Sequence, residues 1–274
     1  MADTRISKLF ARLKRENRPA LVTFVTAGDP NPDTSYKIFS NLANAGADII
    51  ELGMPFSDPM ADGPSIQLAN LRALAGGMTL RKTLDQVAAF REKDSETPII
   101  LMGYYNPIYH MGVKPFLNRA DEVGVDGLII VDLPSEEDDE LCHPARAQGM
   151  DWIRLTTPTS HDERLKIVLK NASGFVYYVS IAGITGTASA QQADVETALN
   201  RIRKQTDLPL AVGFGIKTAE HVKATGQYAD AVVVGSAIID IIKHCDETRA
   251  GTAETVEKVS KFVSELASGC TPRD

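Results

Sequence analysis

The sequence predicts an α/β protein, a (β/α)8 TIM barrel with an extra N-terminal helix. Three observations carry that prediction. Eight short apolar runs recur along the 274 residues, and helical segments lie between them. The runs are continuous rather than alternating, as parallel strands covered on both faces require. Three junctions repeat one pattern, an Asp set immediately before a strand: Ala47-Asp48, Val125-Asp126 and Ala229-Asp230. Such repetition suggests one βα unit used over and over, and eight units close into a barrel of ordinary size. An open doubly wound sheet is the alternative. Strict alternation of strand and helix, with no second-domain pattern, favours closure.

The N-terminal helix is expected at about 4–15, where Ile6, Leu9, Phe10 and Leu13 fall on one face. Its basic residues (Arg5, Lys8, Arg12, Lys14, Arg15) also suit a targeting segment, but no long apolar stretch accompanies them. A helix packed on the domain is the better reading. Strands follow at 20–25, 48–51, 98–102, 127–131, 152–155, 175–179, 209–213 and 231–234. Between them, helical spacing covers 34–45, 80–91, 114–123, 136–147, 163–169, 195–204 and 219–225. Several of these end near a glycine (Gly46, Gly124, Gly149, Gly226), which accepts the left-handed backbone of a helix C-cap. A last helix at about 251–267, with Val256, Val259, Phe262, Val263 and Leu266, completes the outer ring. No linker interrupts the series, so 1–274 reads as one domain with its core at about 18–245.

With 43% hydrophobic residues the chain can bury a full core, and its net charge of −7 disfavours nucleic acid or an anionic membrane as partner. Three widely spaced cysteines and five histidines show no ligand spacing, which argues against a metal site and for a reducing compartment. No run approaches eighteen apolar residues, so no membrane span is expected and the location is read as cytoplasmic.

Barrels of this kind place their chemistry at the C-terminal ends of the strands. The second strand ends in Glu51, and a Gly/Pro-rich loop after it carries Asp58 and Asp62. A carboxylate at a buried strand end bears a desolvation cost, which chemistry commonly explains. Asp62, before Gly63-Pro64, has the alternative role of capping the next helix. Asp58 suits a turn or a contact, and Asp132 with Pro134 a turn. Strands seven and eight end in Gly213-Phe214-Gly215 and Gly235-Ser236. There, backbone N–H groups and a helix N-terminus can approach an anion, which makes a phosphate site the leading reading. No strand ends in lysine; Lys217 is the nearest amine for a Schiff base. Proton transfer by carboxylates on a phosphorylated substrate remains.

The run from Ile50-Glu51-Leu52-Gly53 through Phe56-Ser57-Asp58-Pro59-Met60-Ala61-Asp62-Gly63 resembles the signature of the tryptophan synthase alpha chain family. Leu101-Met102-Gly103-Tyr104-Tyr105-Asn106-Pro107, Asp132-Leu133-Pro134, Gly183-Ile184-Thr185-Gly186 and Gly235-Ser236-Ala237-Ile238 are similar to it too. The likeness runs over about 5–266. It implies cofactor-free retro-aldol cleavage of indole-3-glycerol phosphate to indole and glyceraldehyde 3-phosphate. It further implies that Glu51 shuttles a proton at the indole C3 while Asp62 interacts with the ring N–H. Tyr177 would support Glu51, and Thr185 would close the sixth-strand loop onto Asp62. Gly186, Gly215, Gly235 and Ser236 would cradle the phosphate, and Phe24, Ile66, Met102, Ile129 and Phe214 would wall the indole. The implied partner is a beta chain carrying pyridoxal phosphate, in an alpha2-beta2 heterotetramer. Asp58, Pro59, Asn106, Pro107, Asp132 and Pro134 are candidates for that contact. One departure is Ile181, where some members carry Arg, which bears on loop closure. The rival readings are another phosphate-binding barrel isomerase or lyase, and a non-catalytic barrel that activates a partner.

Overall fold

In the computed structural model, which describes residues 4–179, 188–213 and 215–273 (188–191 as backbone only), all strands join one parallel sheet. In chain order they are β1 (Ala20–Thr26), β2 (Ile49–Gly53), β3 (Ile99–Gly103), β4 (Gly127–Ile130), β5 (Asp151–Trp152), β6 (Arg154–Thr156), β7 (Val176–Val179), β8 (Leu210–Gly213) and β9 (Ala231–Val234). The expected fifth strand is thus two pieces. β5 pairs with β4 through Leu128↔Trp152, and β6 pairs with β7 through Arg154↔Val176. Ile153 between them still donates its N–H to Leu128 O at 3.0 Å. With β1 bonded to both β2 and β9, the sheet forms a nearly closed barrel.

Side chains alternate across each strand, so one set points into the barrel and the other outward. The inward set, Ala20, Val22, Ile49, Ile100, Ile129, Ile153, Phe175, Ala211, Ala231 and Val233, forms one cluster with Ile6, Leu9, Phe10 and Leu13. Helix Arg5–Glu16 therefore stoppers the N-terminal end of the barrel. Thr4 caps that helix, and Phe10 meets Phe175 at 5.8 Å. The outward set packs beneath the surrounding helices in two further clusters, a larger one and a smaller one around β7 and β8.

The repeated aspartates have one shared task. Asp48 accepts the Leu21 N–H at 2.9 Å, Asp126 the Ile99 N–H at 2.7 Å, and Asp230 the Leu210 N–H at 2.9 Å. Each also faces arginine: Arg18 for Asp48, Arg5 and Arg91 for Asp126, Arg203 and Arg273 for Asp230. A carboxylate at the foot of one strand thus fixes the start of its neighbour.

The terminal helices lie close to expectation, at Arg5–Glu16 and Thr252–Ala267. The helix expected at 136–147 is instead a short 3-10 turn, Ser135–Glu137, and a separate helix, Cys142–Ala147. The break falls where Asp138 turns its carboxylate inward to Arg154. Helices Pro64–Ala75 and Ser236–Glu247 begin at the turns where a helix start was expected without bounds, and Tyr105–Met111 was not anticipated. The first has Pro64 at its first position, the one place where a missing N–H costs a helix nothing.

Candidate active site

Glu51 sits in the middle of β2, two residues from the interior Ile49, and therefore points into the barrel. It is 1% exposed, and its Oε1 has no hydrogen-bond partner among the described residues. Burial disfavours the charged form and pushes its pKa from an ordinary 4.5 up to about 8. Tyr177 of β7 is close enough to feel that charge: burial first, then Glu51, raises the phenol. The Tyr177 hydroxyl lies over Gly213, where any Cβ would overlap it.

Asp62 occupies the loop between β2 and helix Pro64–Ala75 and is half-buried. Burial raises its pKa to about 6, while hydrogen bonds from the Tyr104 hydroxyl and the Asn70 amide oppose the rise. The same Tyr104 oxygen accepts the Ala61 N–H at 2.9 Å, and Asn70 Oδ1 accepts the Phe56 N–H at 3.0 Å. Tyr104 is itself buried, stacked on Phe56 with ring centroids 5.4 Å apart. Two residues without an assigned role in the sequence reading therefore hold the loop and its carboxylate. Tyr104 lies within a motif already singled out; Asn70 gave no local signal.

The glycine turns gather at the ends of β8 and β9. Gly215 has φ +63°, a left-handed conformation that favours glycine, and a Cβ there would meet nothing. Gly235 is the N-cap of helix Ser236–Glu247, which has no acidic residue in its first turn. Its first N–H groups lack acceptors within the helix, so this end suits an anion. The Phe24 ring packs against both Gly53 and Gly235. Met102 and Ile129 are register partners and lie in or against the interior cluster. Ile66, half-buried on its helix, packs instead with the cluster outside the strands. Thr185, Gly186 and Phe214 lie outside the described residues.

On the rim, Asp58, Asn106, Asp132 and Pro134 are exposed, Pro107 is half-buried and Pro59 is buried. Pro59 thus offers little surface of its own. Asp132 has a local task as well, accepting the Tyr105 N–H at 2.8 Å. Close to these residues in sequence, Met60 and Tyr109 are 76% and 68% exposed, two apolar side chains the sequence reading did not single out. Among the described residues no helix is long and apolar enough to cross a membrane. Nor do three or more His, Cys, Asp or Glu among them form a metal ligand set.

A family model described as tryptophan synthase alpha chain matches residues 10–269. Among solved structures, tryptophan synthase subunit alpha from Legionella pneumophila str. Paris is 38% identical. The match covers 98% of this chain and 99% of that one, with a TM-score of 0.90. A chain from Aquifex aeolicus VF5 is 34% identical over 98% and 99%, with a TM-score of 0.87. Tryptophan synthase from M. tuberculosis, in an open form with BRD0059 bound, is 30% identical over 97% and 98%, with a TM-score of 0.86.

Proposed function

Since the chain belongs to the tryptophan synthase alpha chain family, a lyase family with a beta-chain partner, we propose that it cleaves indole-3-glycerol phosphate to indole and glyceraldehyde 3-phosphate. The observation that supports this most is the split between two carboxyl groups. At neutral pH Glu51, raised to about 8, is mostly protonated, whereas Asp62, at about 6, is mostly ionised. Environments that push two acids apart assign one as proton donor and the other as fixed anion.

The reaction needs that division of labour. Glu51 gives its proton to the indole C3, and positive charge builds at the ring nitrogen. The Asp62 carboxylate stabilises that charge. The glycerol hydroxyl next to C3 then returns its proton to Glu51 and becomes a carbonyl. The C–C bond breaks, and its electron pair restores the aromatic ring. Tyr177 packs beside Glu51, and Phe24, Met102, Ile129 and Phe214 wall the ring; Ile66 belongs to this wall less directly. By the family likeness the phosphate would rest on Gly186, Gly215, Gly235 and Ser236, and Thr185 would act with Asp62. No cofactor of this chain enters the reading; pyridoxal phosphate belongs to the beta chain.

The rim residues Asp58, Asn106, Pro107, Asp132 and Pro134, with Met60 and Tyr109, form the contact for the beta chain in an alpha2-beta2 heterotetramer. Sedimentation of the mixed chains tests that stoichiometry. The activity is tested by incubating the purified chain with indole-3-glycerol phosphate and measuring indole. Glu51→Gln and Asp62→Asn should each lower turnover by a factor of about 100 or more, within the range general acid–base groups contribute. Loss of tenfold or less in either variant would remove that residue from the mechanism. No indole from the wild type, alone or with a beta chain, would leave the non-catalytic barrel standing.

A further inference from the structure

We propose that Arg154 is a positioning residue that sets the partner-facing segment 132–138, and with it the chain's affinity for the beta chain. The inference rests on the partner reading above and adds a residue to it that lies behind the rim rather than on it.

Segment 132–138 leaves β4 at the barrel mouth and carries the exposed Asp132 and Pro134. Arg154 lies below it on β6, buried, with its guanidinium 5.3 Å from the Trp152 ring centroid. Its Nη1 donates to Leu133 O at 3.2 Å, and its Nη2 donates to the Asp138 carboxylate. The other Asp138 oxygen accepts from Asn171 Nδ2 at 2.7 Å. A single planar group therefore grips the segment near both ends. Asp132 extends the grip, since it takes the Tyr105 N–H while the Tyr105 hydroxyl donates to Glu140 at 2.8 Å. Tyr105 opens the helix that bears Asn106 and Pro107. The rim pieces after β3 and β4 thus form one unit, and Arg154 anchors it to the next strand.

Two further facts argue for positioning over stability. A cavity of about 240 Å³ lies against the segment, lined by Val131, Leu133, Pro134, Arg154, Leu155 and Arg164, which leaves space on that side, while Arg164 pairs with Glu136 at the exposed surface of the segment. The Arg154 Nε is buried without a partner among the described residues, so the charge is incompletely satisfied. Burial, with Arg164 nearby, lowers its pKa to about 10. Buried ion pairs of this kind are weak sources of stability, and apolar residues of similar volume often replace them at no loss. What an apolar pair cannot replace is the two-point grip, and lysine cannot replace it either.

The test uses the full chain with Arg154→Lys, Arg154→Met and the double variant Arg154→Met/Asp138→Leu. Affinity for a pyridoxal-phosphate-loaded beta chain, indole release by the isolated chain, and thermal unfolding are measured for each. Trp152 is the only tryptophan, so its fluorescence reports directly whether the guanidinium has moved. Arg154→Lys and the double variant should bind the beta chain about tenfold more weakly, with basal indole release within twofold of wild type. The double variant should regain the thermal stability lost in Arg154→Met without regaining affinity. Affinity that recovers together with stability would mean a structural role only, and would overturn the proposal. So would affinities within twofold of wild type throughout. A wild-type chain that does not bind the beta chain would instead overturn the partner reading, and this inference with it.

Discussion

Replacing Glu51 by Gln should stabilise the fold while removing the catalytic proton. In the unfolded chain Glu51 loses its proton near 4.5; in the folded chain it keeps it to about 8. Between those values the folded state holds one proton more, so stability falls as pH rises through that window. Below 4.5 both states are protonated and the penalty vanishes; above 8 it is constant. From 4.5 to pH 7, at about 1.4 kcal/mol per pH unit, the penalty reaches about 3 kcal/mol. Gln has nearly the same shape and never ionises. It does add a buried amide where Oε1 already lacks a partner among the described residues, which costs about 1–2 kcal/mol. The variant should therefore gain about 1–2 kcal/mol at pH 7 and lose up to about 1 kcal/mol at pH 5. Urea unfolding of both proteins at pH 5, 7 and 8.5 measures this. The difference between them should swing by about 4 kcal/mol towards the variant across that range. A difference that does not change with pH would mean that Glu51 ionises normally, and the proton-donor argument would fail with it.

Other expectations follow from the same geometry. The kcat/KM profile should fall below about pH 6 as Asp62 protonates and above about pH 8 as Glu51 ionises. Tyr104→Phe removes a hydrogen bond that holds the Asp62 pKa down, so the acid limb of that profile should move to higher pH; an unmoved limb would dissociate Tyr104 from Asp62. Gly213→Ala places a methyl group on the Tyr177 hydroxyl and should cost about 1–3 kcal/mol in urea unfolding, with Tyr177→Phe partly relieving it. Leu13→Ala empties a fully buried position in the stopper helix and should cost about 2–5 kcal/mol by the same assay.

The barrel could be read from the sequence because its parallel strands are covered on both faces, which leaves unbroken apolar runs. The aspartates at 48, 126 and 230 marked the repeat, and the structure gives their reason in the strand N–H groups they accept. The division of the fifth strand could not be read, since Trp152-Ile153-Arg154-Leu155 looks like one run and the break reflects pairing to opposite neighbours. Nor could the interruption at 136–147, where local spacing is helical and a distant arginine draws Asp138 inward. Glu51 stood out as an acid ending an apolar run. Its protonation state did not, because that depends on how completely the barrel encloses it. Tyr104 and Asn70 meet Asp62 only through the folded loop, which itself follows neither a helical nor a strand repeat.

Helix Arg5–Glu16 has one more consequence. With the floor of the barrel filled by Ile6, Leu9, Phe10 and Leu13, the described residues close that end to Glu51 and leave the opposite end to admit a ligand. A protein seated over that opening would need no gate of its own to control the traffic. It would stand where a small apolar product leaves the open end.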